Sequence, residues 1–495
     1  MAKLKKENIR VMKFGGTSMA DAECIKRTAR IIAAEALHGP VVTVVSAMGG
    51  VTNRLIEAAH HAAGTDETVC QEVKNWLLKQ HVSAIRELIN DDHTQQELIA
   101  ETTLIVDQVT ALYRGTSLLG ELTPRALDAI SSVGERLSVR VVAAALGQLG
   151  LDSVAVEATE LIVTDSQHGQ AEPIMEQTHE QASARLLPLL ETGVSPVVTG
   201  FIGATPEGKL TTLGRGGSDY SATILGAALN ACEVIIWTDV DGVLSADPRL
   251  VSEARILNEI SYNEAAELAY FGAKVLHPKT LRPVTEAGIP VWIRNSFAPE
   301  KPGTKITATG NPTSTGAKAI TAVSDVALIS LGGRGIVGVP DVLAKVFAAT
   351  ASARANVLLI SQASSQNDIC FVLHAADAEP TVAALRRNFA LELAQQKVEH
   401  ITVDNDVAIV AVVGERMRGT LGIAGRTFSA LGRAGVNVIA IAQGSSEYNI
   451  SFVIEASATR KAVAAVHQEY KLNEGPSVTS VTSVGVLAET VGVEL

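Results

Sequence analysis

Lys13-Phe14-Gly15-Gly16-Thr17-Ser18 places a lysine near the end of a short apolar run, then two glycines, then two hydroxyl side chains. Bare glycines let backbone approach an anion. Thr17 or Ser18 can cap a following helix, whose N-terminus favours negative charge. This is chemistry for phosphate, although an ordinary strand-to-helix turn with an exposed lysine reads equally well from those residues alone. A second group, Thr212-Leu213-Gly214-Arg215-Gly216-Gly217-Ser218-Asp219, sets Arg215 among three glycines and ends on a carboxylate. An arginine grips a carboxylate through two parallel N–H bonds. The loop therefore reads as a carboxylate-binding element, the alternative being a surface turn. Trp237-Thr238-Asp239-Val240-Asp241-Gly242-Val243, with Asp247-Pro248-Arg249, follows an apolar run. Open α/β sheets bind ligands there, beyond the carboxyl ends of their strands. Phe271-Gly272-Ala273-Lys274-Val275-Leu276-His277-Pro278 adds a second lysine beside a glycine, and His277 reads as a packed histidine.

Other chemistries are missing from the sequence. It contains no GxxxxGK[ST] phosphate loop. Gly333, Gly335 and Gly338 satisfy GxGxxG, but the next strand ends in Ser361-Gln362 rather than an acidic ribose ligand, so a turn is expected there. The 11 histidines show no metal-ligand spacing, and no metal site is expected. Two lysines, one arginine, several carboxylates and glycine turns together make a kinase set without a Walker loop.

Such groups need a sheet to hold them. Ile9–Phe14 and Val41–Val45 read as strands around a helix that runs to Ala36, and Val41–Val45 lacks the alternation of a half-exposed strand. Further strands are expected at Val154–Val156, Val197–Gly200, Val234–Thr238 and Val291–Ile293, with helices between. Residues 66–150 read as mostly helical. Apolar faces are expected from Val69, Val73, Trp76 and Leu77, from Ile105, Val109 and Leu112, and from Leu127, Ile130, Leu137 and Val141. One large α/β unit to about residue 310 follows, closed by a Pro/Gly/Thr/Lys-rich stretch from Phe297 to Gly316. Thr304–Thr307 is a short strand that still suits the first unit.

An internal repeat comes next. Asp325-Val326-Ala327 recurs as Asp406-Val407-Ala408, an offset of 81. The same offset aligns Phe347 with Phe428, Asn356-Val357 with Asn437-Val438, Gln362 with Gln443 and Phe371 with Phe452. Each copy reads strand, helix, strand, polar loop, strand, helix, so paired small α+β modules are expected. The units are then 1–310, 320–400 and 401–472, followed by a Gly/Ser/Thr/Val tail, 473–495, with a β-like stretch at Val478–Leu487.

Composition narrows the class. Charged residues are 19% and the net charge is −12, which disfavours nucleic-acid phosphates as partners. Mean hydropathy is +0.22, yet no apolar run approaches the ~18 residues that span a bilayer. Cys24, Cys70, Cys232 and Cys370 are scattered without a CxxC pair, which suits a reduced, cytoplasmic protein. The basic start, Met1 to Arg10, has no apolar signal core.

These motifs, with Ser46-Ala47-Met48-Gly49-Gly50-Val51-Thr52-Asn53, Gly134-Glu135 and Gly200-Phe201-Ile202-Gly203, resemble the aspartokinase family over essentially the whole chain. The repeats resemble its paired ACT domains, and those of bifunctional aspartokinase–homoserine dehydrogenases. The resemblance implies an amino-acid kinase fold, a mostly parallel sheet between helices, followed by ACT modules. It implies transfer of the ATP γ-phosphoryl group to the β-carboxylate of L-aspartate, with Mg²⁺ carried by the nucleotide. Lys13 would stabilise the moving charge and Asp219 would orient Lys13. Arg215 would hold the substrate α-carboxylate and Glu135 its ammonium, with Ser46, Thr52, Phe201 and Ser218 completing that pocket. Gly15, Gly16, Thr238, Asp239, Arg249 and Lys274, with Lys13, would face ATP. Leu244 stands where many members carry tyrosine, and is left outside that set. Only 23 residues follow Leu472, with no Gly-rich βαβ unit, so no dehydrogenase half is expected in this chain.

The resemblance also implies feedback control by an end-product amino acid bound at the modules, and a homo-oligomer formed through them. Asn356, Gln362, Asn437 and Gln443 are the expected effector-site residues. The strand after Asn356 has leucines where lysine-sensing relatives place an aspartate. The following loops are neutral, with Gln362, Ser364 and Ser365 in one copy and Gln443, Ser445 and Ser446 in the other. Threonine is therefore expected rather than lysine. A non-catalytic amino-acid sensor and a kinase for another acidic amino acid are the alternatives.

Overall fold

The structure, a computed structural model, describes residues 8–65, 67–272, 276–311, 313, 316–334, 341–362, 368–417, 419–444 and 448–474. The tail strand expected at Val478–Leu487 lies outside them. Eight strands form one sheet, in the order Ser153–Val156, Ser195–Thr199, Val41–Val45, Arg10–Phe14, Glu233–Thr238, Val291–Asn295, Thr304–Thr307 and Glu259–Ser261. Neighbours run parallel except Val291–Asn295 and Thr304–Thr307, which are antiparallel.

All five residues of Val41–Val45 are buried, as a strand covered on both faces requires. Val42 and Val44 pack on the helix Gly217–Ala228 side, with Ile224 and Leu225. Val41 and Val45 face the opposite way and share a core with Ile25, Ile32, Leu137 and Val141, from the helices Ala22–Ala36 and Val133–Gly147. The first helix starts where the Asp21 side chain accepts from the Cys24 backbone N–H at 2.9 Å, a cap worth about 1 kcal/mol.

Residues 66–150 contain the helices Glu67–Leu88, Asp92–Leu119, Pro124–Ser131 and Val133–Gly147. Two of the expected faces need correction. Leu112 is exposed, because the buried stripe on its helix runs through Thr102, Ile105, Val106, Val109, Tyr113 and Thr116 and leaves Leu112 off its edge. Leu127, Ile130, Leu137 and Val141 do not share one helix, since the chain breaks at Ser132.

The second sheet has six strands, in the order Val357–Gln362, Asp368–His374, Ala319–Gly332, His400–Val413, Asn449–Glu455 and Ala440–Ala442, all antiparallel. Each repeat copy supplies strand, helix, strand, strand, helix. The two long strands pair from Ala319 opposite Val413 to Gly332 opposite His400. The first half of Ala319–Gly332 therefore extends the second copy's sheet, and its second half lies in the first copy's. Between the halves the register shifts, and Asp325 turns left-handed at φ 57°, a conformation its short polar side chain tolerates. The sheet bends so that its two edge strands meet, and Leu358, Leu359 and Val372 share a core with Val407, Ala440 and Val453.

The segment after Glu233–Thr238 is built into this second sheet's flank. Ala246 and Val251 pack with Ala462, Val463 and Val466 of the helix Thr459–Glu469. Ser245 Oγ lies 3.0 Å from His467 Nε2, and the Ser245 carbonyl accepts from the Ile320 N–H at 2.8 Å.

Candidate active site

Four parallel strands end at the same edge of the first sheet. Register fixes Lys13 beside Val44 on one side and Ile236 on the other. Ser46 follows Val45, Phe201 follows the strand Ser195–Thr199 after Gly200, and Asp239 follows Thr238. Parallel strands deliver their loops to one rim, so these motifs converge although they are far apart in the chain.

A cleft of about 570 Å³ opens there. Its walls include Lys13, Ser46, Thr52, Glu135, Phe201, Arg215, Ser218 and Asp219. Every residue expected for catalysis or for the amino-acid pocket is therefore brought to one cavity. Lys13 is buried, and its Nζ lies 2.5 Å from Asp219 Oδ1. A Cβ on Gly15 would come within 3.1 Å of that Nζ, so the glycine leaves the ammonium approachable. Arg215 is exposed at the cleft and makes no ion pair among the described residues.

Glu135 stands in the first turn of Val133–Gly147 and is almost wholly buried. Its Oε1 accepts from the Ala47 N–H at 3.3 Å, while Oε2 has no hydrogen-bond partner. Burial pushes its carboxyl up to about 8, against the lesser opposing pull of backbone N–H groups and Lys13. The Ser46 loop is tied to the same helix, for Ser138 Oγ donates to the Ser46 carbonyl at 2.7 Å. Gly134 permits this contact: a Cβ there would sit 2.6 Å from the Ala47 Cβ.

The Arg215 loop enters the helix Gly217–Ala228 through Gly216, its Gly217 N–H donating to the Gly214 carbonyl at 2.9 Å, and the first residues of the helix line the cleft at its positive end. Phe201 faces this turn in a left-handed conformation, φ 71°, which costs a non-glycine residue about 1–3 kcal/mol. Its N–H donates to Ser221 Oγ at 2.9 Å and its carbonyl accepts from the Leu213 N–H at 2.9 Å. These bonds hold the strained residue between strand and loop. A Cβ on Gly217 would lie 2.6 Å from the Phe201 ring, so only glycine fits.

Of the residues expected to face ATP, Lys13 lines this cleft, and Gly15, Gly16, Thr238, Asp239 and Arg249 do not. The Gly15 N–H points at the Trp237 carbonyl, 3.4 Å away, so Gly15 and Gly16 adjoin Thr238. Thr238 Oγ1 donates to Asp239 Oδ1 at 3.1 Å. Arg249 is exposed and is held by Asp247 through a two-bond fork of 3.0 and 2.6 Å. Leu244 is half-buried and bridges to Ile256. Lys274 lies outside the described residues. His277, expected from the sequence to be a packed histidine, is not packed. It is exposed, and its Nδ1 accepts from the Lys279 N–H at 3.3 Å to cap the helix Pro278–Ala287, beside Gly216. Sequence reading missed Asp128 and Ser131, which also line the cleft and belong to no motif, and gave no role of its own to Thr212 at the head of the Arg215 group.

Asn356, Gln362, Asn437 and Gln443 are exposed, at or just beyond the ends of the two edge strands of the second sheet. Ser364, Ser365, Ser445 and Ser446 lie outside the described residues. No helix among the described residues is long and apolar enough to cross a membrane.

Known proteins resemble this chain in sequence and fold. The amino acid kinase family matches residues 8–295, and the ACT domain matches residues 329–389 and 410–470. The chain is 34% identical over 493 residues to bifunctional aspartokinase/homoserine dehydrogenase 1 of Arabidopsis thaliana, covering 97% of this chain and 53% of that one. It thus spans about half the length of such bifunctional relatives. Aspartokinase 1 of the same plant is 34% identical, with 93% of this chain and 80% of that one covered. Among solved structures, E. coli aspartokinase III with aspartate and ADP superposes with a TM-score of 0.77 at 30% identity, over 93% of this chain and 99% of that one. The same enzyme with lysine and aspartate gives 0.78 at 30% identity, over 94% and 99%. The chain belongs to the amino acid kinase family, among the aspartokinases that carry paired ACT domains.

Proposed function

We propose that the chain phosphorylates the β-carboxylate of L-aspartate with ATP, giving 4-phospho-L-aspartate and ADP. The observation that carries this reading is the cleft itself, where buried Lys13 paired with half-buried Asp219, Arg215 and Glu135 face one space. Relatives point the same way, since E. coli aspartokinase III was solved with aspartate and ADP.

The chemistry follows from charge. The nucleophile is a carboxylate with an ordinary pKa of about 3.9, ionised at neutral pH, so no general base is needed. The obstacle is repulsion between that carboxylate and the triphosphate. Lys13, steered by Asp219, offsets it at the phosphoryl group, and the N–H groups at the start of Gly217–Ala228 add fixed positive ends. Arg215 takes the α-carboxylate and an ionised Glu135 the ammonium. Among the described residues no cluster of three His, Cys, Asp or Glu side chains could hold a metal alone. Magnesium enters this reading with ATP, where it screens the phosphate charge. Thr238, Asp239, Arg249 and Lys274 take the nucleotide.

The reading extends to control. L-Threonine is the proposed inhibitor, on the leucines of Val357–Gln362 and the neutral amides Gln362 and Gln443 at the edge strands. A homo-oligomer through the ACT sheet and a reducing, cytoplasmic setting belong to the same proposal, as does a place at the head of lysine, threonine and methionine synthesis. A coupled ADP-release assay with aspartate, glutamate and N-acetylglutamate tests the activity. Turnover confined to aspartate supports it, and turnover with glutamate alone rejects it. No turnover with any of them returns the chain to the sensor class.

A further inference from the structure

Asp128 is 1% exposed, at the wall of the cleft, and its carboxylate accepts from Thr212, His168 and Gly169. Thr212 Oγ1 donates to Oδ1 at 2.5 Å, and His168 Nδ1 donates to Oδ2 at 2.7 Å. The Gly169 N–H reaches both oxygens, at 3.0 and 3.2 Å. A carboxylate so engaged has little left for a substrate ammonium. Its position explains what it does instead. Asp128 lies on the helix Pro124–Ser131, and Ser132 alone separates that helix from the one carrying Glu135. Thr212 ends the strand Leu210–Thr212 and leads straight into the Arg215 loop. The Gly169 carbonyl backs the same loop, for a Cβ on Gly214 would come within 2.9 Å of it.

We infer that Asp128 is a positioning residue that sets the spacing between Glu135 and Arg215, and thereby the affinity for the amino-acid substrate. The two groups answer opposite charges on one small molecule. They arise from segments distant in the chain, and Asp128, one helix from Glu135, bonds to the strand that leads to Arg215. The inference rests on the aspartate-kinase reading for the identity of that molecule. ATP lies on the other side of Lys13 in that reading, so its binding does not depend on this spacing.

Two variants test it, Asp128→Asn and Thr212→Val, because the milder one keeps the test open if the first does not fold. Hydrogen bonds to a charged group are strong enough that Asp128→Asn is expected to raise the aspartate KM about tenfold or more. Thr212→Val is expected to raise it about threefold by removing one of those bonds. The KM for ATP is expected to stay within about twofold, and kcat at saturating aspartate within about threefold, since uniform binding is what is lost. The double variant should be less than additive. Folded variants with an unchanged aspartate KM overturn the assignment, as does an equal rise in both KM values with a lowered Tm, which marks a merely structural role. Calorimetric binding of aspartate to the unmodified chain separates the two readings. Binding or turnover by that chain, with variants matching it, overturns only the role of Asp128. An unmodified chain that neither binds nor turns over aspartate overturns both.

Discussion

Glu264 Oε2 lies 2.7 Å from Lys318 Nζ, in the seam between the kinase sheet and the ACT sheet, and both side chains are buried. Glu264 is also half of a capping box, in which its N–H meets Ser261 Oγ at 3.1 Å and its Oε2 accepts from the Ser261 N–H at 2.8 Å. Its other oxygen accepts from the Glu415 N–H at 2.9 Å, at the end of the second long ACT strand. One carboxylate thus starts a helix of the catalytic unit and pins both ACT strands to it.

Breaking that pair leaves a charge buried without its partner. Lys318→Met is expected to cost about 3–5 kcal/mol, well above an ordinary surface substitution. Because the pair sits in the seam, the thermal transition should also split in two. Scanning calorimetry checks this, and a single transition with an unchanged Tm would falsify it.

Glu135 predicts a pH dependence. In the free cleft its carboxyl is raised to about 8, so it is mostly protonated at neutral pH. The substrate ammonium favours the ionised form, so binding aspartate expels the proton. About one proton should leave per aspartate bound at pH 7, seen by calorimetry in buffers of differing ionisation heat. Aspartate kcat/KM should rise from pH 6 toward about 8 and then level, and Glu135→Gln should flatten that slope. The sign for stability is opposite. The folded chain holds this proton where the unfolded one has lost it, so the contribution is full below about 4.5 and is lost as pH rises through about 8. A kcat/KM that falls over pH 6–8 rejects the assignment.

Lys13→Met removes the charge at the phosphoryl group while keeping an apolar stem in the buried wall. Loss of one preorganised donor costs about 10²- to 10³-fold in turnover. Circular dichroism establishes whether the variant is folded. Near-normal turnover in a folded variant removes Lys13 from the transition state.

Control is tested at the two glutamines. L-Threonine is expected to inhibit. Gln362→Ala and Gln443→Ala are each expected to raise the half-inhibitory concentration about tenfold, a coupling loss of ordinary size. Titrating threonine and lysine separately at fixed aspartate decides the effector. Inhibition by lysine alone, or by neither, rejects threonine.

The sequence by itself determined the local pieces. The apolar runs of Ile9–Phe14, Val41–Val45 and Val234–Thr238 become neighbouring parallel strands. Glycines beside Lys13 and Arg215 mark loops where backbone must pass close to a partner, and the offset of 81 shows in two copies of one strand–helix–strand–strand–helix unit. Such features are legible because backbone conformation and periodicity depend on residues a few positions apart. Only the tertiary structure decided the rest. Leu112 falls outside its helix's buried stripe because of what packs on that helix, which its spacing does not reveal. Asp128 reads as one acidic residue in a helical stretch until Thr212 and His168 are brought to it from distant segments. The first long ACT strand serves both copies through a register shift at Asp325 that repeat alignment cannot show. Glu135 owes its raised carboxyl to burial beneath segments that arrive from elsewhere in the chain. Desolvation and long-range pairing are set by which surfaces meet, and that choice is made by the whole fold at once.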